Sequence, residues 1–194
     1  MTGNVAGITG EKPVETLRKL LSPERFTHSM GTALTCATLA KKYKAGVKTA
    51  ALAGLLHDCA KDLSTAEEAR LIRRYSVKMD PVSKKIKPLW HCFLGPYVAM
   101  EKFGVTDKKI LGAIANHTAG KPGMDVISKI VYVADFSEEG RAYGSSRAVR
   151  KRIFSKISLD ELTLFVLKEK LRYLIDQGKL IHNNSILLWN SLNA

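Results

Sequence analysis

The sequence predicts an all-α fold, a single helical bundle, from three observations. Apolar residues recur at three- and four-residue spacing through most of the chain, the period that lines one face of a helix. Capping residues stand directly before several of these runs. The strict two-residue alternation of a half-buried strand never persists beyond a few positions. At 194 residues one domain is expected, and a chain of this size buries roughly 70% of its unfolded surface without disulfide staples.

In chain order, residues 1–12 are Gly-rich and polar without periodicity, so a flexible lead-in is expected there and the domain is placed at 13–194. Ser22-Pro23-Glu24 supplies an N-cap, a proline at the first helical position and an acid in the first turn, opening a helix through Phe26, Met30, Ala33, Leu34 and Ala37. Val47 to Leu56 is nearly all Ala and Leu, too apolar for a surface helix, and belongs at the bundle centre with His57-Asp58 at its end. Thr65 to Tyr75 reads as a short amphipathic helix, and Met79 to Pro88 as a basic, proline-bounded loop. Helix signals resume near His91 and stop at Gly104; Thr106 is expected to cap a helix reaching His117. Asp125 caps the next, which carries Ile127, Ile130, Val131 and Val133 up to Asp135. A basic helix over 145–156, a long one capped by Ser158 with Glu161 and ending at Gly178, and a short one holding Leu187, Leu188 and Trp189 complete the bundle.

Composition narrows the function classes. A hydrophobic content of 45% with 25% charged residues is that of a globular chain and excludes disordered and fibrous classes. Lys+Arg at 31 against Asp+Glu at 18 give a formal charge of +13, which speeds encounter with polyanions. Lys84, Lys85, Lys87 and the Arg147–Arg152 stretch supply much of it and can equally be solvated faces. No helix-turn-helix, zinc-finger or RNA-binding aromatic signature accompanies the charge, so nucleic acid is not the expected partner. No apolar run reaches about 18 residues and the N-terminus lacks a signal pattern, so no membrane is expected and a cytoplasmic location is. Cys36, Cys59 and Cys92, three cysteines at no zinc-ribbon spacing, read as buried thiols, the last two adjoining motifs of interest.

Histidine carries the chemical signal. His28, His57, His91 and His117 fall at or near predicted helix ends, whereas His182 stands apart. A lone helical histidine is ordinarily a satisfied polar residue; the combination is what matters. Asp58 follows His57 directly at the end of an apolar helix, where neighbours projecting about 100° apart address one point only near the terminus. Asp135 ends a second apolar helix, where a core-facing carboxylate is costly without a partner. Imidazole and carboxylate together suit iron, manganese, cobalt, nickel or zinc rather than calcium.

His28, then His57-Asp58, then Asp135 make an H…HD…D series that resembles the HD superfamily of metal-dependent phosphohydrolases. Within it, R-F-T-H-S (25–29), L-L-H-D-C-A-K-D (55–62), L-W-H-C-F-L-G (89–95), A-N-H-T-A-G (115–120) and V-Y-V-A-D-F-S-E-E-G-R (131–141) resemble the bacterial YqeK family. The resemblance implies an HD-domain helical bundle that hydrolyses diadenosine tetraphosphate symmetrically to two ADP, using one or two iron ions. It implies His28, His57, Asp58 and Asp135 as metal ligands, with His91 and His117 holding a second metal or contacting phosphates. Around that site Lys61 is expected to stabilise the phosphate under attack and Asp62 to orient water or cap the following loop. Arg141 presents a fork matched to phosphate oxygens, Asp135 also faces substrate, and Gly95 and Gly120 allow backbone to approach a nucleotide or simply form turns. Arg25 is expected to support the site through an ion pair or to bind phosphate. Phe93, Phe136, Tyr143 and Trp189 are the aromatic surfaces open to a base. Asn183 stands where the related segment has proline, which leaves the role of His182 open. The alternatives are another nucleotide substrate, a deoxynucleotide or an alarmone, or a non-catalytic nucleotide- or nucleic-acid-binding domain; homodimer formation is left open.

Overall fold

The computed structural model describes residues 3–194, and among them every regular element is helical. Of the stretch expected as a flexible lead-in, residues 3–9 form helix α1 (Gly3–Thr9) and Glu11 opens helix α2 (Glu11–Arg18), while residues 1–2 lie outside the described residues. Val5 is 1% exposed within the core, and α1 lies against the Ala/Leu helix at residues 47–56. The segment is too short for its few apolar residues to show a period, and helices this short are held by packing rather than by propensity.

Helix α3 (Pro23–Lys42) opens as predicted, the Ser22 side chain accepting from the Arg25 backbone N–H. Helix α4 (Val47–Leu56) is the bundle centre: Ala50, Ala51, Ala53, Leu55 and Leu56 are all fully buried. Small residues let α3 and α4 touch, since a Cβ on Gly54 would stand 2.6 Å from Cys36 Sγ and 3.2 Å from the Thr32 carbonyl. Helix α5 (Thr65–Tyr75) carries a full capping box between Ser64 and Glu67.

The expected loop at 79–88 is instead a short helix, α6 (Pro81–Lys85), followed by a 3-10 turn at Lys87–Leu89. Asp80 caps α6 by accepting from Val82 and Ser83 N–H, with Pro81 at the first helical position, a start signal hidden by the basic residues after it. Helix α7 (Trp90–Phe103) stops at Gly104, which takes the left-handed conformation (φ 66°). Asp107, one residue beyond Thr106, caps α8 (Lys108–Asn116), and Asp125 caps α9 (Val126–Ser137) as expected. Helices α10 (Gly144–Ile153), α11 (Leu159–Asp176) and α12 (Asn183–Asn193) close the chain, α11 with the predicted Ser158–Glu161 box.

His182 is the N-cap of α12, and its Nε2 meets Asp80 Oδ2 at 3.1 Å and Ser83 Oγ at 2.8 Å, so this histidine clasps α12 to α6. Helices α3, α4, α8 and α9 pack against one another as the central layer. All three cysteines are free and buried. Among the described residues no helix is long and apolar enough to cross a membrane.

Candidate metal centre

Local helix geometry explains how the histidines are aimed. His57 and His117 are the C-terminal caps of α4 and α8, where backbone carbonyls lack partners. Each satisfies one of them by turning Nδ1 back on its own helix, His57 to the Gly54 carbonyl at 2.6 Å and His117 to the Ile114 carbonyl at 2.7 Å. With Nδ1–H donating there, the Nε2 lone pair of each points away from its helix. His28, in the second turn of α3, is fixed by Glu138, whose Oε1 lies 3.1 Å from Nδ1. Its Nε2 also faces inward as an acceptor.

Those ring nitrogens meet carboxylates. His28 Nε2 lies 3.2 Å from His57 Nε2 and 3.0 Å from Asp135 Oδ1, with His57 Nε2 3.7 Å from the same oxygen. Asp58 continues the cluster, Oδ2 standing 3.7 Å from His57 Nε2 and Oδ1 3.2 and 3.4 Å from Nε2 of His91 and His117. His91 and His117 themselves approach to 3.0 Å. Two further side chains adjoin: Lys61 Nζ is 3.2 Å from His91 Nε2, and Cys92 Sγ is 3.4 Å from it.

The donor chemistry decides what this arrangement is for. His28 Nε2 and His57 Nε2 converge on each other and on Asp135 Oδ1, more acceptors than the one adjacent donor, Arg141 Nη2 at 2.9 Å from that oxygen and 3.1 Å from His28 Nε2, can serve at once. Asp58 Oδ1 is buried without a properly directed hydrogen bond. Burying such groups costs several kcal/mol per charge unless something positive joins them. A divalent cation satisfies all of them at once, and the nitrogen and oxygen donors fit a borderline transition metal. The residues therefore fit a metal.

Titration points the same way. Burial pushes the His57 imidazole down to about 4 against the opposing pull of Asp58, which keeps it neutral near pH 7. Burial alone would raise the carboxyls of Asp58 and Asp135, but the imidazoles around them hold both well below the usual range, so both are ionised. His28 and His117, which burial would lower, are raised by neighbouring acidic groups: Asp135 and Glu138 for His28, Cys92 and Asp58 for His117. A cation entering beside them competes with protons.

The other expected site residues are placed less uniformly. Arg141 joins the cluster, donating from Nη2 to Asp135 Oδ1 at 2.9 Å and from Nε to the Asp135 carbonyl at 3.1 Å. Asp62 does not: it pairs with Arg25 at 2.8 Å and accepts from Ser22 N–H, so both Asp62 and Arg25 secure the start of α3. Gly95 is a packing glycine, since a Cβ there would stand 2.7 Å from Ile114 Cγ2, and it lets α7 approach α8 closely. Gly120 is a turn residue with φ 68°.

A groove of about 920 Å³ opens beside the cluster, lined by His28, Glu138 and Arg141 and by the apolar Leu34, Tyr143 and Phe154. Tyr143 is one of the aromatic residues singled out from sequence; Phe154, 83% exposed, is an addition.

Sequence reasoning missed three supporting residues. Glu138 fixes His28 and also accepts from Gly140 N–H at 2.7 Å, and Gly31 leaves room for its carboxylate. Arg150, in the basic stretch read as either a polyanion-attracting or a solvated face, donates to the Ser137, Glu138 and Arg141 carbonyls and so holds the 137–141 loop. Lys170 donates to the His117 and Thr118 carbonyls at 3.1 and 3.3 Å, its ammonium 3.8 Å from the centre of the Tyr132 ring and pushed down to about 8 by burial. Glu138→Gln is expected to weaken metal binding by about 10- to 100-fold, the usual effect of removing the partner of a ligating histidine. A chelator-competition titration reads this, with an unchanged melting temperature separating it from a folding defect.

Comparison with known proteins agrees with the geometry. Residues 25–140, which carry every histidine and carboxylate of the cluster, match the HD domain family. A curated relative from Bacillus subtilis, named "Bis(5'-nucleosyl)-tetraphosphatase, symmetrical", is 30% identical over 94% of this chain and 96% of its own. One of the same name from Staphylococcus aureus is 27% identical over 94% of each. A solved structure from Clostridium acetobutylicum, described as a predicted HD superfamily hydrolase involved in NAD metabolism, superposes with a TM-score of 0.86 at 30% identity, covering 94% of this chain and 95% of the other. With its H…HD…D side chains brought together from α3, α9 and the end of α4, the chain belongs to the HD-domain family.

Proposed function

We propose that the protein is a symmetrical bis(5'-nucleosyl)-tetraphosphatase, which adds one water across the central phosphoanhydride of diadenosine tetraphosphate and releases two ADP. The observation that carries the reading is the end-to-end similarity, at about 30% identity, to relatives of that name, joined to a convergent cluster suited to phosphoanhydride chemistry. His28, His57, Asp58 and Asp135 would hold the cation, with Asp58 reaching toward His91 and His117 as well. We infer iron, in one or two ions, as the resident metal, with manganese, cobalt, nickel and zinc as substitutes.

When bound, a divalent cation supplies Lewis acidity to phosphate oxygens and lowers the pKa of water. The chain's own groups do the rest. Arg141, beside Asp135, and Lys61, beside Asp58, put positive side chains next to different parts of the cluster and would hold a polyphosphate laid across it. The groove reached through His28 and Arg141 would take one nucleoside, its Tyr143 and Phe154 rings offering faces for the adenine. Lys170, donating to the His117 carbonyl, keeps His117 in place from behind. The +13 charge draws the polyanion in.

Metal-loaded protein incubated with diadenosine tetraphosphate is expected to give ADP as the sole nucleotide product. Equal AMP and ATP would refute symmetrical cleavage. Preference for a deoxynucleotide or an alarmone in a nucleotide panel would keep the metal chemistry and replace the substrate.

A further inference from the structure

We propose that Cys92 is a thiolate ligand, which together with His91 and His117 forms a second cation position beside Asp58, with a softer donor set than the one around His28. The proposal rests on the metal reading of the cluster but not on its substrate. His91 and Cys92 are the second and third residues of α7, so their side chains leave the first turn of one helix next to each other. Cys92 Sγ lies 3.4 Å from His91 Nε2 and 4.0 Å from His117 Nε2. Those two nitrogens are 3.0 Å apart and 3.2 and 3.4 Å from Asp58 Oδ1.

The spacing is that of ligands around a shared centre. Metal–nitrogen bonds of about 2.0–2.1 Å and metal–sulfur bonds of about 2.3 Å make tetrahedral edges of roughly 3.3–3.7 Å. The three separations among Cys92, His91 and His117, at 3.4, 4.0 and 3.0 Å, lie within about 0.3 Å of that range. Asp58 Oδ1 is the independent sign of a ligand: its side chain is 8% exposed, it lies beside both imidazoles, and it has no properly directed hydrogen bond. Lys61 brings its ammonium to 3.5 Å from the same oxygen, so the position already attracts positive charge. The start of a helix carries partial positive charge that favours a thiolate.

Two cation positions, one on each side of Asp58, would then differ in character. The His28, His57 and Asp135 side offers only nitrogen and oxygen, and the His91, His117 and Cys92 side adds sulfur. Soft thiolate selects zinc or iron over manganese or magnesium, so the second position would reject the harder cations that the first tolerates.

The test is spectroscopic. Metal-free protein titrated with cobalt(II) is expected to take up two equivalents, one of which brings a near-ultraviolet sulfur-to-cobalt charge-transfer band. Cys92→Ser and Cys92→Ala are expected to lose the band and to weaken that equivalent by about 10- to 100-fold or more, whereas Cys36→Ser and Cys59→Ser retain both. X-ray absorption of the zinc-loaded native protein, which needs no variant, should show a sulfur neighbour. A band absent from the native protein, or persisting in Cys92→Ala, overturns the proposal, as does zinc with only nitrogen and oxygen neighbours. Product analysis with diadenosine tetraphosphate on the same native sample separates the two readings. ADP without the band removes the thiolate and leaves the substrate standing; a cysteine-dependent band without ADP does the reverse.

Discussion

Asp58→Ala is expected to abolish tight metal binding and to lower turnover by roughly three orders of magnitude or more, the largest effect of any single substitution in this chain. The reason lies in how the cluster is divided. His28, His57 and Asp135 lie on one side and His91 and His117 on the other, and Asp58 is the carboxylate with an oxygen toward each. Removing it leaves those five side chains without the one carboxylate that reaches both halves of the cluster. Loss of the Lewis acid forfeits several kcal/mol of transition-state stabilisation, and about 4 kcal/mol corresponds to a thousandfold in rate. Elemental analysis and kcat on the same preparation check both halves of the claim. Full metal occupancy in Asp58→Ala would remove Asp58 from the bridging role whatever happened to the rate. Asp58→Asn, which keeps the shape, distinguishes loss of charge from collapse of the cavity.

How much of this centre was legible in the sequence follows from which residues announce themselves locally. His57 and Asp58 do, because they are consecutive at the end of a helix too apolar to expose, and such a terminus is a place where adjacent side chains can address one point. Asp135 does for the same reason on α9. The helices themselves were legible wherever a cap and a period coincide, as at Ser22, Asp125 and Ser158. They were missed where the element is one or two turns long: α1 and α6 owe their existence to packing and to an aspartate-proline start. The supporting residues were not legible because their sequence neighbours look identical. Lys168 and Lys170 flank Glu169 in one helix, yet Lys168 is exposed while the ammonium of Lys170 reaches the carbonyls behind His117. Only the rotation of α11 against α9 decides between them. Glu138 and Glu139 pose the same ambiguity, and Glu138 alone reaches His28. Of the two roles left open for Asp62, orienting water or capping a loop, its sequence position one residue beyond Lys61 could not choose, and the turn after Asp58 brings it to Arg25 and the Ser22 N–H.

Lys61→Ala separates binding from chemistry, because its effects on the two are expected to have opposite signs. Lys61 Nζ lies 3.5 Å from Asp58 Oδ1 and 3.2 Å from His91 Nε2, where its positive charge competes with any cation entering that side. Two positive charges a few ångströms apart repel by about 4 kcal/mol even at the screened dielectric of a protein surface, and the 27% exposure of this side chain reduces that further. Metal affinity is therefore expected to stay the same or rise when the ammonium is removed. Turnover moves the other way. With the polyphosphate in place the ammonium has anionic oxygens to face, and the charge gathering on them in the transition state is what it stabilises. Losing one such donor costs roughly 10²- to 10³-fold in kcat. A loss confined to KM would assign Lys61 to ground-state binding of the polyphosphate. Equal kcat in Lys61→Ala and the native chain would make it a lysine that merely lies beside the site, and a parallel fall in metal affinity would place it among the supports of the ligands, with Glu138.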